Sequence, residues 1–344
     1  MSAILLEMTR GPLVENRFRG SIAVVDGAGR LLLAAGDPEM VTYWRSAAKP
    51  IQAMALVQLG AADRFGLRAE HLALFAASHN GEPVHTAGVA EALQLAGVGP
   101  EALQCGIHAP FDRETALHTP EPGAVHNNCS GKHTGMLALA RHLDLPLDNY
   151  LDPASPLQQR ILSTVAEAVD LDPAAITIGV DGCGVPVFGL PISRMALAYA
   201  RLAEPAAMPH GLVESACRFR DAMRAHPYLV AGRKRICTAL MASLPVVAKS
   251  GADGVYSVGI LPEAVERSPV LQALGAQGGI GVTVKMESGA GKERDLVVVE
   301  ILNQLGLLGE AEREALAWWR PGPIKNHAGR EVGQIRLTVS LQTP

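Results

Sequence analysis

The sequence predicts an α+β fold for this chain of 344 residues, because strand-like segments lie near both termini and helical patterns fill the middle. Near the amino terminus, the apolar segments 21–25 and 31–35 flank Asp26-Gly27-Ala28-Gly29, which is a strong signal for a hairpin turn. Further strand patterns lie toward the carboxyl terminus, at 246–258 (a second hairpin), 281–286 and 332–341. A sheet completed by both termini is therefore expected.

Between these ends, apolar residues recur at every third or fourth position, which is the spacing of helices. The clearest case follows Ser46, where Ile51, Met54 and Ala55 share one face. One short apolar segment, 72–76, is predicted as a buried strand. No internal repeat is present, so we expect residues 1–344 to form a single domain with a terminal-segment sheet and a central helical subregion. The other predicted helices cover 84–95, 131–143, 156–169, 194–202, 212–225 and 295–307.

Composition excludes several classes of function. A net charge of −4 and only 4% aromatic residues give no basic surface or stacking platform for nucleic acid. The apolar stretch 3–6 ends at Glu7, well short of the about 7–15 apolar residues of a signal peptide, and no stretch approaches the about 20 that a membrane helix needs. Five dispersed cysteines indicate reduced thiols. We expect a cytoplasmic protein that binds neither nucleic acid nor membrane.

The strongest candidate nucleophile is Ser46, three positions before Lys49 in the only Ser-x-x-Lys pair of the chain. On a helix these side chains lie one turn apart, so a neutral lysine amine could take the proton of the hydroxyl. Pro50 is tolerated only in the first turn of a helix, which places Ser46 at the helix start, where negative charge is favoured. The alternative is an ordinary helix cap.

Two more segments carry suitable side chains. Ala248-Lys249-Ser250-Gly251 precedes a turn and resembles the Lys-Thr/Ser-Gly element of serine β-lactamases and penicillin-binding proteins, whose nucleophile also lies in Ser-x-x-Lys. Segment 78–85 is a dense polar cluster between two apolar elements, as suits a substrate loop, and Ser78 is a second activated hydroxyl if Lys249 reaches it. The alternatives are a lysine on a hairpin turn and a helix-capping turn.

A metal site is a further candidate. Segments 126–133 and 181–186 each place one cysteine, Cys129 and Cys183, in a polar, glycine-containing setting. Two thiolates and a nitrogen suit zinc with one position left for water. On chemistry alone His133, four residues after Cys129, is the expected nitrogen ligand, because the amine of Lys132 must first lose a proton. Without a Cys-x-x-Cys pair, spacing alone favours two reduced, buried thiols.

These segments together are similar to the L-asparaginase II family, the class 3 asparaginases, over essentially the full length of the chain. The resemblance implies a fold related to serine β-lactamases and glutaminases, hydrolysis of L-asparagine to L-aspartate and ammonia, and a homodimer. The motifs that carry it are, in order, Arg-Ser-Ala-Ala-Lys-Pro at 45–50, Ser-His-Asn-Gly-Glu-Pro-x-His at 78–85, His-Asn-Asn-Cys-Ser-Gly-Lys-His at 126–133, Asp-Gly-Cys-Gly-Val-Pro at 181–186 and Ala-Lys-Ser-Gly at 248–251.

The resemblance also assigns roles to individual residues. It makes Ser46 the nucleophile with Lys49 as its base, and Ser78 with Lys249 a second hydroxyl–amine pair. One zinc ion, auxiliary to catalysis and completed by water, would be held by Cys129, Lys132 and Cys183, which overrules the preference for His133. Asn80 stands where another small polar residue such as serine is expected, which bears on substrate preference. The predicted substrate-binding residues are Arg45, His79, Asn80, Gly81, Asn128 and Asp181.

Three alternatives stay open at this point. The same machinery could act on glutamine, another small amide or a β-lactam. The chain could be a zinc-binding protein without catalytic activity, although the intact Ser46, Lys49, Ser78 and Lys249 speak against this. A cysteine hydrolase that uses Cys129 with His133 would be inactivated by thiol alkylation even without metal.

Overall fold

A computed structural model describes residues 1–344. Its strands are β1 (Ala3–Arg10), β2 (Leu13–Asp26), β3 (Leu31–Ala35), β4 (Val41–Tyr43), β5 (Thr177–Val180), β6 (Pro186–Pro191), β7 (Val246–Ser250), β8 (Val255–Ile260), β9 (Ile280–Met286), β10 (Pro323–Lys325) and β11 (Glu331–Leu337).

The helices are α1 (Lys49–Gln58), α2 (Ala61–Arg64), α3 (Ala69–Phe75), α4 (Pro83–Leu95), α5 (Arg113–Leu117), α6 (Ser130–His142), α7 (Pro156–Val169), α8 (Ile192–Ala203), α9 (Val213–Ala225), α10 (Pro227–Val230), α11 (Ile236–Ser243), α12 (Pro262–Arg267), α13 (Pro269–Ala273), α14 (Gly291–Gln304) and α15 (Glu310–Ala315). Short 3₁₀ helices cover Arg45–Ala48, Pro100–Ala102, Ala124–His126, Pro173–Ala175, Pro205–Ala207, His210–Leu212 and Ala317–Trp319.

The chain forms two compact units. The sheet unit comprises Met1–Thr42, Pro191–Glu204 and Ser243–Pro344, and the helical unit comprises Tyr43–Leu190 and Pro205–Ala242. The sheet unit thus draws its chain from both termini and from one short central segment, while the helical unit consists of the other central segments.

The sheet unit contains one antiparallel sheet with the order β10-β11-β1-β2-β9-β8-β7, and β3 pairs with β2. The two terminal strands meet in its interior, where Leu6 of β1 is opposite Leu337 of β11. Strand β2 then lies between β1 and β9, with Ile22 opposite Val284. These pairings confirm the expected α+β architecture in which a sheet is completed by both termini.

Helix α8 packs directly on this sheet, against β2, β8 and β9. Its backbone comes so close that only glycine fits at three positions, 259, 279 and 281. A Cβ atom on Gly281 would lie 1.8 Å from the carbonyl oxygen of Ala196, and one on Gly259 would lie 2.3 Å from that of Tyr199. Helix α14 also packs on the sheet, against β8, β9, β1 and β11.

Helix α1 is the central element of the helical unit, where it contacts α3, α6, α7 and α9. The side chains of Ile51, Met54 and Ala55 are fully buried, as their spacing predicts. Strands β5 and β6 form an antiparallel pair at residues 177–189. No helix of the structure combines the length and the apolar character required to cross a membrane.

The predicted hairpins and helices are present, with most ends shifted by one to four residues. One prediction was wrong: segment 72–76 is not a strand but belongs to α3 and its end. A short apolar segment has no periodicity that separates a buried strand from a buried helix. The composition of segment 72–76 favours the helix, because Leu and Ala are good helix formers and the segment contains no β-branched residue.

Candidate active site

Ser46 lies in the 3₁₀ turn that leads directly into α1. The N–H of Lys49 donates to the carbonyl oxygen of Ser46, and Pro50 follows in the first turn, as the sequence predicts. The preceding residue, Arg45, has a left-handed backbone with φ of 54°. Trp44 is fully buried and its N–H donates to the Phe188 carbonyl over 2.9 Å. A half-buried serine hydroxyl therefore stands at a fixed turn before the helix.

The side chain of Lys49 is fully buried. Its Nζ donates to the Ala77 carbonyl oxygen over 2.8 Å, lies 2.9 Å from Ser78 Oγ and lies 3.1 Å from Cys129 Sγ. The hydroxyl of Ser46 is not among these partners. Burial lowers the pKa of Lys49 below its ordinary value, because a charged ammonium is poorly solvated there. The structure therefore brings Lys49 to Ser78, whereas the sequence pairs Lys49 with Ser46.

Ser78 begins the polar loop between α3 and α4. Its N–H donates to the Val230 carbonyl over 3.0 Å, and the N–H of His79 donates to the Asn128 carbonyl over 3.3 Å. Gly81 has a φ of 77°, and a Cβ atom there would lie 2.9 Å from the carbonyl oxygen of His126. The loop is thus fastened on both sides, which fixes the buried hydroxyl of Ser78 beside the lysine.

His79 and His85 are stacked and fully buried, with ring centroids 5.1 Å apart. The Nδ1 atom of His79 accepts from the N–H of Gly81 over 3.1 Å, so its proton lies on Nε2, which is 2.9 Å from Ser130 Oγ. Burial, followed by the neighbouring His85, lowers the pKa of His79 well below its ordinary value. These imidazoles therefore remain neutral and serve to hold the loop.

The end of this loop is joined to residues 226–235 by a polar network. Glu82 is buried, accepts from the hydroxyl of Tyr228 and forms an ion pair with Arg233 over 3.3 Å. The amide nitrogen of Asn80 donates to Glu82 over 3.0 Å, and its oxygen accepts from Arg235 over 2.8 Å. Both functional atoms of the Asn80 side chain are thus engaged with protein groups.

Cys129 immediately precedes α6, and Cys183 follows β5. The neighbouring Cys183 thiol and the positive charges of Lys49 and Lys132 lower the pKa of Cys129 well below the ordinary thiol value, whereas Cys129 and burial raise the pKa of Cys183. The amine of Lys132 donates to Cys183 Sγ over 3.0 Å. Two sulfurs and an amine, all buried, therefore converge on one point of the helical unit.

Asp181 lies next to this cluster and holds the turn that carries the nucleophile candidate. Its carboxylate forms an ion pair with Arg45 over 3.0 Å and accepts from the N–H of Gly182 over 2.8 Å. Burial raises the pKa of Asp181, but the positive charge of Lys132 and these contacts outweigh it, so the pKa is lowered. Asp181 is therefore an ionised carboxylate between the cluster and Arg45.

The donors of this cluster fit a zinc ion only if the lysine takes part. No group of three or more histidine, cysteine, aspartate and glutamate side chains is placed to hold a metal ion. His133, the ligand expected on chemistry alone, has its Nδ1 atom 2.7 Å from the hydroxyl of Tyr150. Its Nε2 atom is buried without a partner. Cys129, Lys132 and Cys183 thus form a donor set that would suit the implied ion.

The other predicted residues lie as follows. The amide of Asn128 is engaged with His108, whose Nε2 atom is 3.0 Å from its oxygen and 3.1 Å from its backbone nitrogen. Lys249 lies in β7 of the sheet unit, where its buried amine donates to the Ser250 carbonyl over 2.8 Å. A pairing of Lys249 with Ser78 stays a prediction.

Sequence reasoning missed the segment 226–235, which contributes Tyr228, Arg233 and Arg235 to the network around Asn80. This segment contains a short basic run, Arg233-Lys234-Arg235, which is the one sequence feature that could have indicated a functional role for it. Nothing in the sequence connects that run with a loop more than 140 residues away, as the separation of 146 residues between Glu82 and Tyr228 shows.

A family model described as L-asparaginase II matches residues 6–337. The chain belongs to the L-asparaginase II family. This family member is therefore an amidohydrolase, as the sequence predicts. No curated protein sequence matches the chain significantly.

Solved structures show distant likenesses to this member of the L-asparaginase II family. One is a β-lactamase from Mycobacterium bovis, with 14% identity, coverage of 84% of this chain and 95% of that chain, and a TM-score of 0.39. Another is a Bacillus subtilis glutaminase in covalent complex with 5-oxo-L-norleucine, with 16% identity, coverage of 87% and 92%, and a TM-score of 0.37. A probable Bacillus subtilis glutaminase has 17% identity, coverage of 84% and 88%, and a TM-score of 0.42. Likenesses this low assign no substrate and no residue.

Proposed function

We propose that this member of the L-asparaginase II family hydrolyses L-asparagine to L-aspartate and ammonia through an acyl-enzyme, with a serine activated by Lys49. The observation that carries the proposal is the fully buried amine of Lys49, one helical turn after Ser46 and hydrogen-bonded to the hydroxyl of Ser78 at 2.9 Å. Burial lowers its pKa, so the amine can be uncharged and accept a proton. A neutral amine beside a hydroxyl is the arrangement that serine–lysine hydrolases require.

The proposed reaction has two halves. The serine oxygen attacks the carbon of the side-chain amide while the Lys49 amine takes the hydroxyl proton. That proton then passes to the leaving nitrogen, which departs as ammonia and leaves an ester. Water hydrolyses the ester with the same amine as base, which frees L-aspartate. Backbone N–H groups at the 3₁₀ turn, including that of Ser46, are the proposed donors to the oxyanion.

Ser46 is the proposed nucleophile, with Ser78 as the second candidate. Ser46 is half-buried and precedes α1, so a substrate can approach it, whereas the side chain of Ser78 is buried with only 5% exposure. Ser78 is favoured by its contact with Lys49. In the proposal, Ser78 helps to hold the amine and carries protons to it.

Zinc is proposed as an auxiliary ion. Cys129, Lys132 and Cys183 would hold it, because their two sulfurs and one amine already converge. A bound zinc ion would supply fixed positive charge that shapes the substrate pocket. Asp181 then keeps Arg45 and the adjoining turn in place through its ion pair. The homodimer and the cytoplasmic location implied at the level of sequence stay predictions.

Two measurements test the proposal. The first measures ammonia release from L-asparagine and from L-glutamine, beside the colour change of a chromogenic β-lactam, and so separates the three substrates. Wild type should act on L-asparagine, Ser46→Ala should abolish turnover, and Ser163→Ala, which removes an exposed helix serine, should not change it. No ammonia from L-asparagine would overturn the proposed function.

The second measurement identifies the nucleophile. The asparagine analogue 5-diazo-4-oxo-L-norvaline alkylates an activated hydroxyl, and peptide mass mapping then locates the label. A label on the peptide containing Ser46, absent from Ser46→Ala and retained in Ser78→Ala, supports Ser46. A label on Ser78 would transfer the nucleophile to that residue, and a label on Cys129 would indicate a cysteine hydrolase.

A further inference from the structure

Two arginines from one segment approach the loop that follows Ser78, and their surroundings differ. Arg233 forms ion pairs with three carboxylates: Glu82 at 3.3 Å, Asp112 at 3.1 Å and Glu114 at 2.6 Å. It therefore neutralises the acidic groups around it, and its role is to join this loop to its neighbours.

Arg235 has no such partner. Its half-buried guanidinium donates one hydrogen bond, from Nη1 to the neutral amide oxygen of Asn80 over 2.8 Å, and lies 5.9 Å from the ring centroid of Phe111. No carboxylate forms an ion pair with it, because Arg233 already holds the three in this neighbourhood. Arg235 is thus a fixed cation without a counter-charge.

The other cations of the helical-unit site are all occupied. Lys49 contacts Ala77, Ser78 and Cys129, as described above. Lys132 donates to Cys183, and Arg45 pairs with Asp181. An anionic group of a substrate would have to displace one of these partners, whereas at Arg235 it would displace only solvent.

The position of Arg235 is fixed relative to the loop that begins at Ser78. Asn80 is two residues beyond Ser78, and its nitrogen donates to Glu82 over 3.0 Å and to the Arg233 carbonyl over 3.1 Å. Because the nitrogen and the oxygen of the Asn80 amide are both hydrogen-bonded, Asn80 holds the Arg235 guanidinium in a fixed position. The charge of Arg235 is also close enough to lower the pKa of His79 and of His85, which lie in the same loop.

The chemistry of a guanidinium suits one particular ligand. It presents five N–H donors in a planar fork that matches a carboxylate with two parallel hydrogen bonds. One donor is engaged by Asn80, and Phe111 covers part of the group, so a hydrogen-bonding edge remains for a ligand. Partial burial strengthens such a contact relative to one in bulk water.

We propose that Arg235 binds the α-carboxylate of the substrate and thereby restricts this site to amides of α-amino acids with a free carboxylate. The inference rests on the proposed function and adds a specificity-determining residue to it. Asn80 then contributes to substrate binding only through Arg235.

The test compares L-asparagine with 3-aminopropanamide, which is the same molecule without the α-carboxylate. For L-asparagine, Arg235→Gln should lower kcat/KM by about 10- to 100-fold, mainly through KM, as expected for loss of a charged hydrogen-bonded pair. For 3-aminopropanamide the change should be much smaller. Arg235→Lys should restore part of the loss, and Arg160→Gln, which removes an exposed arginine of α7, should alter neither substrate.

The outcomes separate this inference from the proposed function. If Arg235→Gln lowers kcat/KM equally for both amides, or for neither, Arg235 does not bind the α-carboxylate. The proposed amidohydrolase activity is unaffected by that result. If wild type hydrolyses neither amide, the proposed function fails, and calorimetry with L-aspartate and β-alanine tests Arg235 directly. Weaker binding of L-aspartate alone by Arg235→Gln would support the inference, and unchanged binding of both would overturn it. Circular dichroism of each variant confirms that it is folded.

Discussion

The amine of Lys49 lies 2.9 Å from the hydroxyl oxygen of Ser78, and the lysine side chain has no exposed surface. A buried ammonium loses its hydration, so this environment lowers the pKa of the Lys49 amine. Ser46 precedes Lys49 by one helical turn, and the hydrogen-bond partners of the amine are Ala77 and Ser78 after α3 and Cys129 before α6. The lysine thus connects two serine-bearing segments that are far apart in sequence.

The thiol cluster predicts the metal content of the protein. Wild type should contain about one zinc ion per chain, and Cys129→Ser or Cys183→Ser should lose it because each removes a sulfur donor. Their effect should be mainly on KM, whereas Ser46→Ala should abolish kcat. Mass spectrometry of bound metal and steady-state kinetics measure both, with Cys217→Ser of α9 as the control. Equal loss of kcat in all three site variants would argue for a zinc-bound hydroxide as nucleophile.

The buried His79 predicts loss of stability in acid. Because its pKa in the folded state is lowered well below the ordinary value, the unfolded chain binds a proton at a pH where the folded chain does not. The free energy of unfolding should fall as pH drops below about 6.5, by up to about 1.4 kcal/mol per pH unit for this group. Urea unfolding between pH 8 and 5 measures it.

The contribution of His79 is isolated by comparison with two variants. His79→Gln keeps groups able to bond Ser130 and Gly81 but does not titrate, so its stability should depend less on pH than that of wild type. His118→Gln, at an exposed position, should reproduce the wild-type slope. Identical slopes for wild type and His79→Gln would show that His79 does not carry the effect.

The close contact of α8 with the sheet predicts that Gly281 cannot be replaced without loss of stability. Gly281→Ala should lower the free energy of unfolding by about 3 kcal/mol or more, because the new Cβ atom would lie 1.8 Å from the Ala196 carbonyl oxygen and must displace α8. Gly322→Ala lies in the same unit with nothing within 4 Å, so it should be close to neutral. Thermal unfolding compares them, and similar midpoints would contradict the close packing.

The network around Glu82 predicts a second site of instability. Glu82→Ala leaves the hydroxyl of Tyr228, the amide of Asn80 and the guanidinium of Arg233 without their shared acceptor, which should cost about 2–4 kcal/mol. Glu101→Ala, at an exposed carboxylate, should change stability by less than about 0.5 kcal/mol. Chemical denaturation measures both, and a cost for Glu82→Ala below about 1 kcal/mol would show that solvent replaces the network.

Features set by neighbouring residues could be predicted from the sequence. The helix start at Pro50 follows from local backbone chemistry, and both hairpins follow from turn residues and apolar patterns. The composition of the segments around Cys129 and Cys183 indicates a polar site, and in the fold each thiol shifts the pKa of the other.

Features that depend on long-range packing could not be predicted from the sequence. Helical spacing permits Lys49 to meet Ser46, but whether its amine does so depends on where the chain after α3 passes, and that segment was itself mistaken for a strand. The contact of Arg235 with Asn80 joins residues 155 positions apart, and no local pattern encodes it.

The central claim is that the Lys49 amine activates a serine, and the kcat of Lys49→Met on L-asparagine tests it most directly. Methionine fills a similar volume without an amine, so the variant should fold, as circular dichroism can confirm, while Lys292→Met provides an exposed control. We predict that kcat falls by about 1000-fold, as expected for loss of a general base. A folded Lys49→Met protein with kcat within about tenfold of wild type would contradict the account.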